Sequence, residues 1–93
     1  MEHRFEWNDE KAKINLKKHD VDFQEASTIF DDPLFITFLD REHSIGEERY
    51  ITIGLSSKQR LLMVAHTERG NKIRIISARK ATKNEENFYV ETR

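Results

Sequence analysis

One histidine, one glutamate and a run of arginines and lysines share the stretch from Arg49 to Lys80, and that mixture could move protons at a phosphate. Residues 49–80 hold eight Lys or Arg (Arg49, Lys58, Arg60, Arg69, Lys72, Arg74, Arg79, Lys80) against one acid, Glu68. Residues 1–48 hold six basic and thirteen acidic residues. The formal net charge of −1 thus conceals a basic half beside an acidic one, a distribution suited to binding an anion. Arg49 and Arg74 are candidates to clamp a phosphodiester bidentately, Arg79 joins Arg74 as a candidate catalytic guanidinium, and Arg69, Lys72 and Lys80 are further phosphate contacts. Guanidiniums so placed would stabilise charge developing in a transition state. His66 is the candidate proton acceptor, since neighbouring cations would lower its pKa and keep the ring neutral. Glu68 is the other candidate base, or else a turn residue paired with Arg69 or Lys72. Arg79 and Lys80 precede Thr82, an N-cap whose free helix-start N–H groups would complete an anion-friendly corner. A plainer reading fits the same residues: solvated strand-end cations, and a half-buried sheet histidine at position 66.

Other chemistries find less purchase. The chain has no cysteine, hence no disulfide and no thiolate metal ligand. Asp40, Glu42, His43, Glu47 and Glu48 include hard-metal ligand types, but their spacing fits no established site and reads as a solvated acidic loop. There is no Gly-rich phosphate loop, HExxH or nucleophile motif, so neither metal nor cofactor is expected. Trp7, Phe35 and Phe38 could stack bases, yet their alternation suits core packing better. No apolar run approaches the roughly 20 residues of a membrane span, and MEHRFEW carries no signal-peptide core. The expectation is a single cytoplasmic domain over residues 1–93.

The elements that must position these residues follow from pattern. His3 to Trp7 is a brief strand or extended lead-in. Asn8 caps a helix running to Lys18 or His19, with Ala12 and Leu16 on its buried face. Asp22 to Glu25 is a capping box, opening a helix that buries Phe23, Ala26 and Phe30 and stops before Pro33. Leu34 to Leu39 reads as a strand too apolar to be exposed on both faces. Three runs then form a meander, ERYITIGL, RLLMVAHT and IRIISARK, with Leu61 to Ala65 central. Thr82 to Glu85 is a second capping box before a short helix anchored by Phe88 and Tyr89. The predicted fold is α+β: two N-terminal helices and a short C-terminal helix on a four-stranded antiparallel sheet, with an extra N-terminal strand as an option.

Register decides which side chains meet. A connection centred on Ser57-Lys58 sets Arg49 opposite His66. A three-residue loop, Arg69-Gly70-Asn71, sets His66 opposite Arg74, so Arg49, His66 and Arg74 line up across three strands within about 5 Å of each other. A two-residue Gly70-Asn71 turn would instead place Thr67 opposite Arg74. The longer loop is preferred because it keeps the aliphatic residues together.

At this point the residues resemble a known family. The opening F-E-W-[ND]-x-x-K-x-x-x-N-x-x-K-H is matched by Phe5, Glu6, Trp7, Asn8, Lys11, Asn15, Lys18 and His19. The closing H-T-x-R-x-x-x-I-R-I-I-S-A-R is matched by His66, Thr67, Arg69, Ile73, Arg74, Ile75, Ile76, Ser77, Ala78 and Arg79. Both resemble the BrnT family of bacterial toxins from type II toxin–antitoxin systems, from about Phe5 to Glu86. The resemblance implies a RelE-like fold and a ribonuclease activity that stops translation. It also implies neutralisation by BrnA, a ribbon-helix-helix antitoxin through which any operator DNA would be contacted. The competing expectation is a non-catalytic basic module that docks an acidic protein or RNA.

Overall fold

A computed structural model describes residues 4–92. Strand β1 spans Arg4–Glu6, helix α1 Asp9–His19 and helix α2 Phe23–Ser27, which tightens into a 3-10 turn over Thr28–Asp31. Strands β2 (Ile36–Leu39), β3 (Tyr50–Leu55), β4 (Leu61–Arg69) and β5 (Lys72–Lys80) follow, and helix α3 (Lys83–Thr92) ends the chain. The caps form where the sequence places them. Asn8 accepts from the Lys11 N–H at 3.0 Å and Asp22 from the Glu25 N–H. Thr82 and Glu85 exchange both bonds of a capping box, at 2.8 and 3.2 Å.

The sheet has five strands in the order β1-β5-β4-β3-β2, with β1 parallel to β5 and the other pairs antiparallel. This corrects the expected four-stranded antiparallel sheet, because the N-terminal lead-in joins the edge of β5. His3, where that lead-in was expected to begin, lies outside the described residues. Both faces are covered. Val21, Phe23, Ala26, Ile29 and Phe30 pack on Leu62, Val64, Ile75 and Ala78, while Tyr89 of α3 packs on Ile53 and Met63 of the opposite face. The 3-10 turn crosses β3 at Gly54, where an added Cβ would lie 3.0 Å from the Ile29 carbonyl oxygen. Asp32 then accepts from the Leu55 N–H at 2.8 Å and from the Tyr89 hydroxyl at 2.6 Å, tying α3 to the sheet.

Two expectations of burial fail. Leu16 is exposed, and the buried residue of α1 is Asn15. Beyond its short pairing with β1, β5 has a bare edge at Ala78, and the Asn15 amide acts as a substitute strand there. It donates to the Ala78 carbonyl at 2.8 Å, accepts from the Ala78 N–H at 3.1 Å and donates to the Val21 carbonyl at 2.9 Å. Strand β2, expected to be covered, is the opposite edge strand and leaves both Phe38 and Leu39 exposed. Among the described residues no helix is long and apolar enough to cross a membrane.

Candidate functional site

Strand register sorts the candidate residues onto two faces of the sheet. The first connection is a three-residue loop, Ser57-Lys58-Gln59, with Gln59 at φ 63° and Leu55 opposite Leu61. Tyr50, not Arg49, therefore faces His66. The second is the two-residue Gly70-Asn71 turn, with Gly70 at φ 63°. Thr67 stands opposite Arg74, and a register shift at Ala65/His66 leaves Ile76 as an extra residue on β5. That bulge brings both Ile75 and Ala78 onto the core face, with Ala78 opposite Val64. The expected row of Arg49, His66 and Arg74 does not form.

His66 points into the face covered by α2 and the 3-10 turn (the helix-covered face). Its ring stacks on Tyr50 at 5.8 Å and meets the edge of Phe30 at 5.2 Å. Nε2 is hydrogen-bonded to the Thr52 hydroxyl at 2.7 Å, and Thr52 in turn to the Thr37 hydroxyl at 2.7 Å. Only 2% of the residue is exposed. Burial pushes its pKa down to about 4, so desolvation rather than neighbouring cations keeps the ring neutral. Glu68 shares this face and lines a cavity of about 280 Å³ with His66, Phe30, Phe35, Thr37 and Lys72. Its carboxylate has no ion-pair partner among the described residues.

The arginines gather on the other face. A cleft of about 170 Å³ is lined by Thr67, Arg69 and Arg74 from the sheet, Lys11 from α1, and His43, Glu47 and Arg49 from the loop before β3. Arg74 pairs with Glu6 at 2.9 Å, and Arg69 more loosely with Glu47 at 3.4 Å. Arg49 has no ion pair among the described residues. On the floor, Thr67 is 2% exposed and its hydroxyl finds no hydrogen-bond partner among them. A buried hydroxyl without a partner, in the lining of a cleft shared by three arginines, suits an anionic oxygen.

The remaining candidates stand apart. Arg79 forms a bidentate pair with Glu85, at 2.8 and 3.0 Å. Glu85 also accepts from the Thr82 N–H, so the expected anion corner is already filled by the protein's own carboxylate. Burial raises the Glu85 pKa, but its bonds to Arg79 and Thr82 outweigh this and hold the group below the usual range. Lys72 lies 3.9 Å from Glu6, and Lys80 sits opposite Leu62, on the helix-covered face of the sheet. Among the described residues, no group of three or more His, Asp or Glu side chains is arranged to hold a metal ion.

A family model described as "Ribonuclease toxin, BrnT, of type II toxin-antitoxin system" matches residues 7–85. The chain belongs to the BrnT toxin family. The 1.1 Å crystal structure of the Brucella abortus ribonuclease toxin BrnT matches the fold with a TM-score of 0.66 at 20% identity, covering 88% of this chain and 100% of that one. No curated protein matches the chain in sequence. Within this BrnT chain, Thr67, Lys11 and His43 are cleft residues that sequence reasoning did not select. Thr67 and Lys11 were in plain view inside the two motifs. His43 was set aside with the acidic loop, because nothing in the spacing shows that the loop folds back over Arg49.

Proposed function

We propose that this chain is an endoribonuclease whose substrate phosphate sits in the cleft of Arg49, Arg69 and Arg74. The observation that supports the reading is a cleft lined by those three side chains and by Thr67, whose buried hydroxyl has no partner among the described residues. In the proposed reaction a ribose 2′-hydroxyl attacks the adjacent phosphorus, the P–O5′ bond breaks, and a 2′,3′-cyclic phosphate and a 5′-hydroxyl result. The guanidiniums position the phosphodiester and neutralise the charge that grows on its non-bridging oxygens. Arg74 is oriented for this by Glu6, and Arg69 by Glu47. The positive charge needed comes from the chain's own side chains, so cleavage proceeds without a metal, in the manner expected of a RelE-like toxin. His66 and Glu68 face away from this cleft, and their proposed contribution is to packing and to the separate cavity. A BrnA-like ribbon-helix-helix antitoxin neutralises the protein, and operator DNA is reached only through that partner.

Incubation of the purified protein with a defined RNA in EDTA tests the reading. Discrete fragments ending in 2′,3′-cyclic phosphate are expected. RNA that is bound but left intact would make the cleft a binding surface for an acidic partner or RNA, without catalysis.

A further inference from the structure

We propose that His43, held by Asp40, is the proton-transfer residue of the arginine cleft. The inference rests on reading that cleft as the phosphate site, and it names the group that reading still lacks. Guanidiniums stay protonated, and the buried His66 ring lies on the other face, so neither takes a proton from a ribose hydroxyl in the cleft.

The loop between β2 and β3 is built to place an imidazole there. The Asp40 N–H donates to the Arg49 carbonyl at 2.8 Å. The Ser44 hydroxyl donates to the Asp40 carbonyl at 2.6 Å and accepts from the Arg49 N–H at 3.0 Å. His43 is thereby tied into one closed unit with Arg49, a wall of the cleft. Its Nδ1 lies 2.9 Å from Asp40 Oδ2. The Asp40 side chain is 17% exposed and the His43 side chain 60%, so the carboxylate is anchored while the ring is open to a ligand. A carboxylate can only accept, which puts the ring proton on Nδ1 and leaves the Nε2 lone pair free. An acid orienting an imidazole beside phosphate-binding cations is the arrangement that general base catalysis needs.

The step balances. Nε2 takes the 2′-hydroxyl proton as the 2′-oxygen bonds to phosphorus, the departing 5′-oxygen takes a proton from solvent water, and the imidazolium then gives its own proton back to solvent. The charged and titratable groups around His43 are Asp40, Glu47 and Arg49 from the same loop, Arg69 from β4, Arg74 from β5 and Lys11 from α1. Glu47 is the competing base, but Arg69 already engages its carboxylate.

Single-turnover cleavage of a labelled RNA across pH tests this on the full chain, using wild type, His43→Gln, Asp40→Asn and Glu47→Gln. Binding of the same RNA with a 2′-deoxy cleavage site is the second readout. His43→Gln is expected to slow cleavage about a hundredfold and to remove the acid limb of the profile. Its affinity for the 2′-deoxy RNA should stay within about twofold of wild type, because phosphate contacts carry binding. Asp40→Asn should slow cleavage by less than His43→Gln does, because the ring loses its orienting partner. Wild-type rate with an unchanged profile in His43→Gln overturns the proposal, as does loss of the limb in Glu47→Gln instead. Wild-type protein that cleaves nothing is a different result, and it removes the ribonuclease reading and this step together.

Discussion

Thr67 stands opposite Arg74 across the β4–β5 ladder, and this pairing fixes which side of the sheet each charged residue serves. It sends Arg69 and Arg74 to the cleft and leaves His66 and Glu68 on the helix-covered face. The closing motif therefore supplies two environments, an open cationic cleft and a buried neutral imidazole.

The buried imidazole gives acid sensitivity. In the unfolded chain a histidine takes up a proton below about 6.5, whereas folded His66 stays neutral down to about 4. Between those values the unfolded state binds more protons, so this contribution to stability is complete above 6.5 and is lost as pH falls toward 4. The loss amounts to roughly 3 kcal/mol. Urea unfolding at several pH values should show wild type weakening across that window and a folded His66→Gln variant weakening less. Equal slopes for the two proteins would contradict it.

Asn15 should matter to folding far more than its place on a lysine-rich helix suggests. Asn15→Ala removes three buried hydrogen bonds and leaves Ala78 with an unpaired N–H and carbonyl. The expected cost is about 3 kcal/mol in denaturant unfolding. A loss below about 1 kcal/mol would mean that water replaces the amide.

The fold's elements were legible because their signals are local: Asn8, Asp22 and Thr82 cap as their types dictate. The faces of the sheet were not, because they hang on the lengths of two turns and on two residues without a cue. Gln59 takes a left-handed conformation usually given to glycine, and Ile76 bulges inside an unbroken aliphatic run. Each shifts a register by one, and one residue turns a side chain to the other face. The same limit hid the parallel pairing of β1 with β5, a strand far along the chain, and Asn15, whose use is visible only beside Ala78. The basic character of the site was legible from charge counts alone.

Arg79 is expected to secure α3 rather than to touch RNA. Its pair with Glu85 is partly exposed, so Arg79→Ala should cost about 1 kcal/mol and speed amide exchange in α3 before β4. Cleavage by the folded variant should remain within about threefold of wild type. Unchanged stability with lost cleavage would return Arg79 to the site.

The antitoxin is expected to cover the arginine cleft. An acidic segment laid over Arg49, Arg69 and Arg74 would neutralise charge and block RNA together. Complex formation should weaken as salt rises, and reversal of Arg69 and Arg74 to Glu should disrupt it. Reversal of Lys17 on α1 is the contrast. Disruption by Lys17→Glu, with the arginine reversal tolerated, would move the interface to the helices.

The most direct test of the central claim is the single-turnover rate of RNA cleavage by Arg49→Ala, Arg74→Ala and Lys17→Ala, each confirmed folded by its unfolding midpoint. Loss of a clamp on the developing phosphate charge is worth about 3 kcal/mol of barrier, or roughly a hundredfold in rate. The account predicts that fall for both arginine variants and none for Lys17→Ala. Wild-type rates in Arg49→Ala and Arg74→Ala would contradict it and take the phosphate out of this cleft.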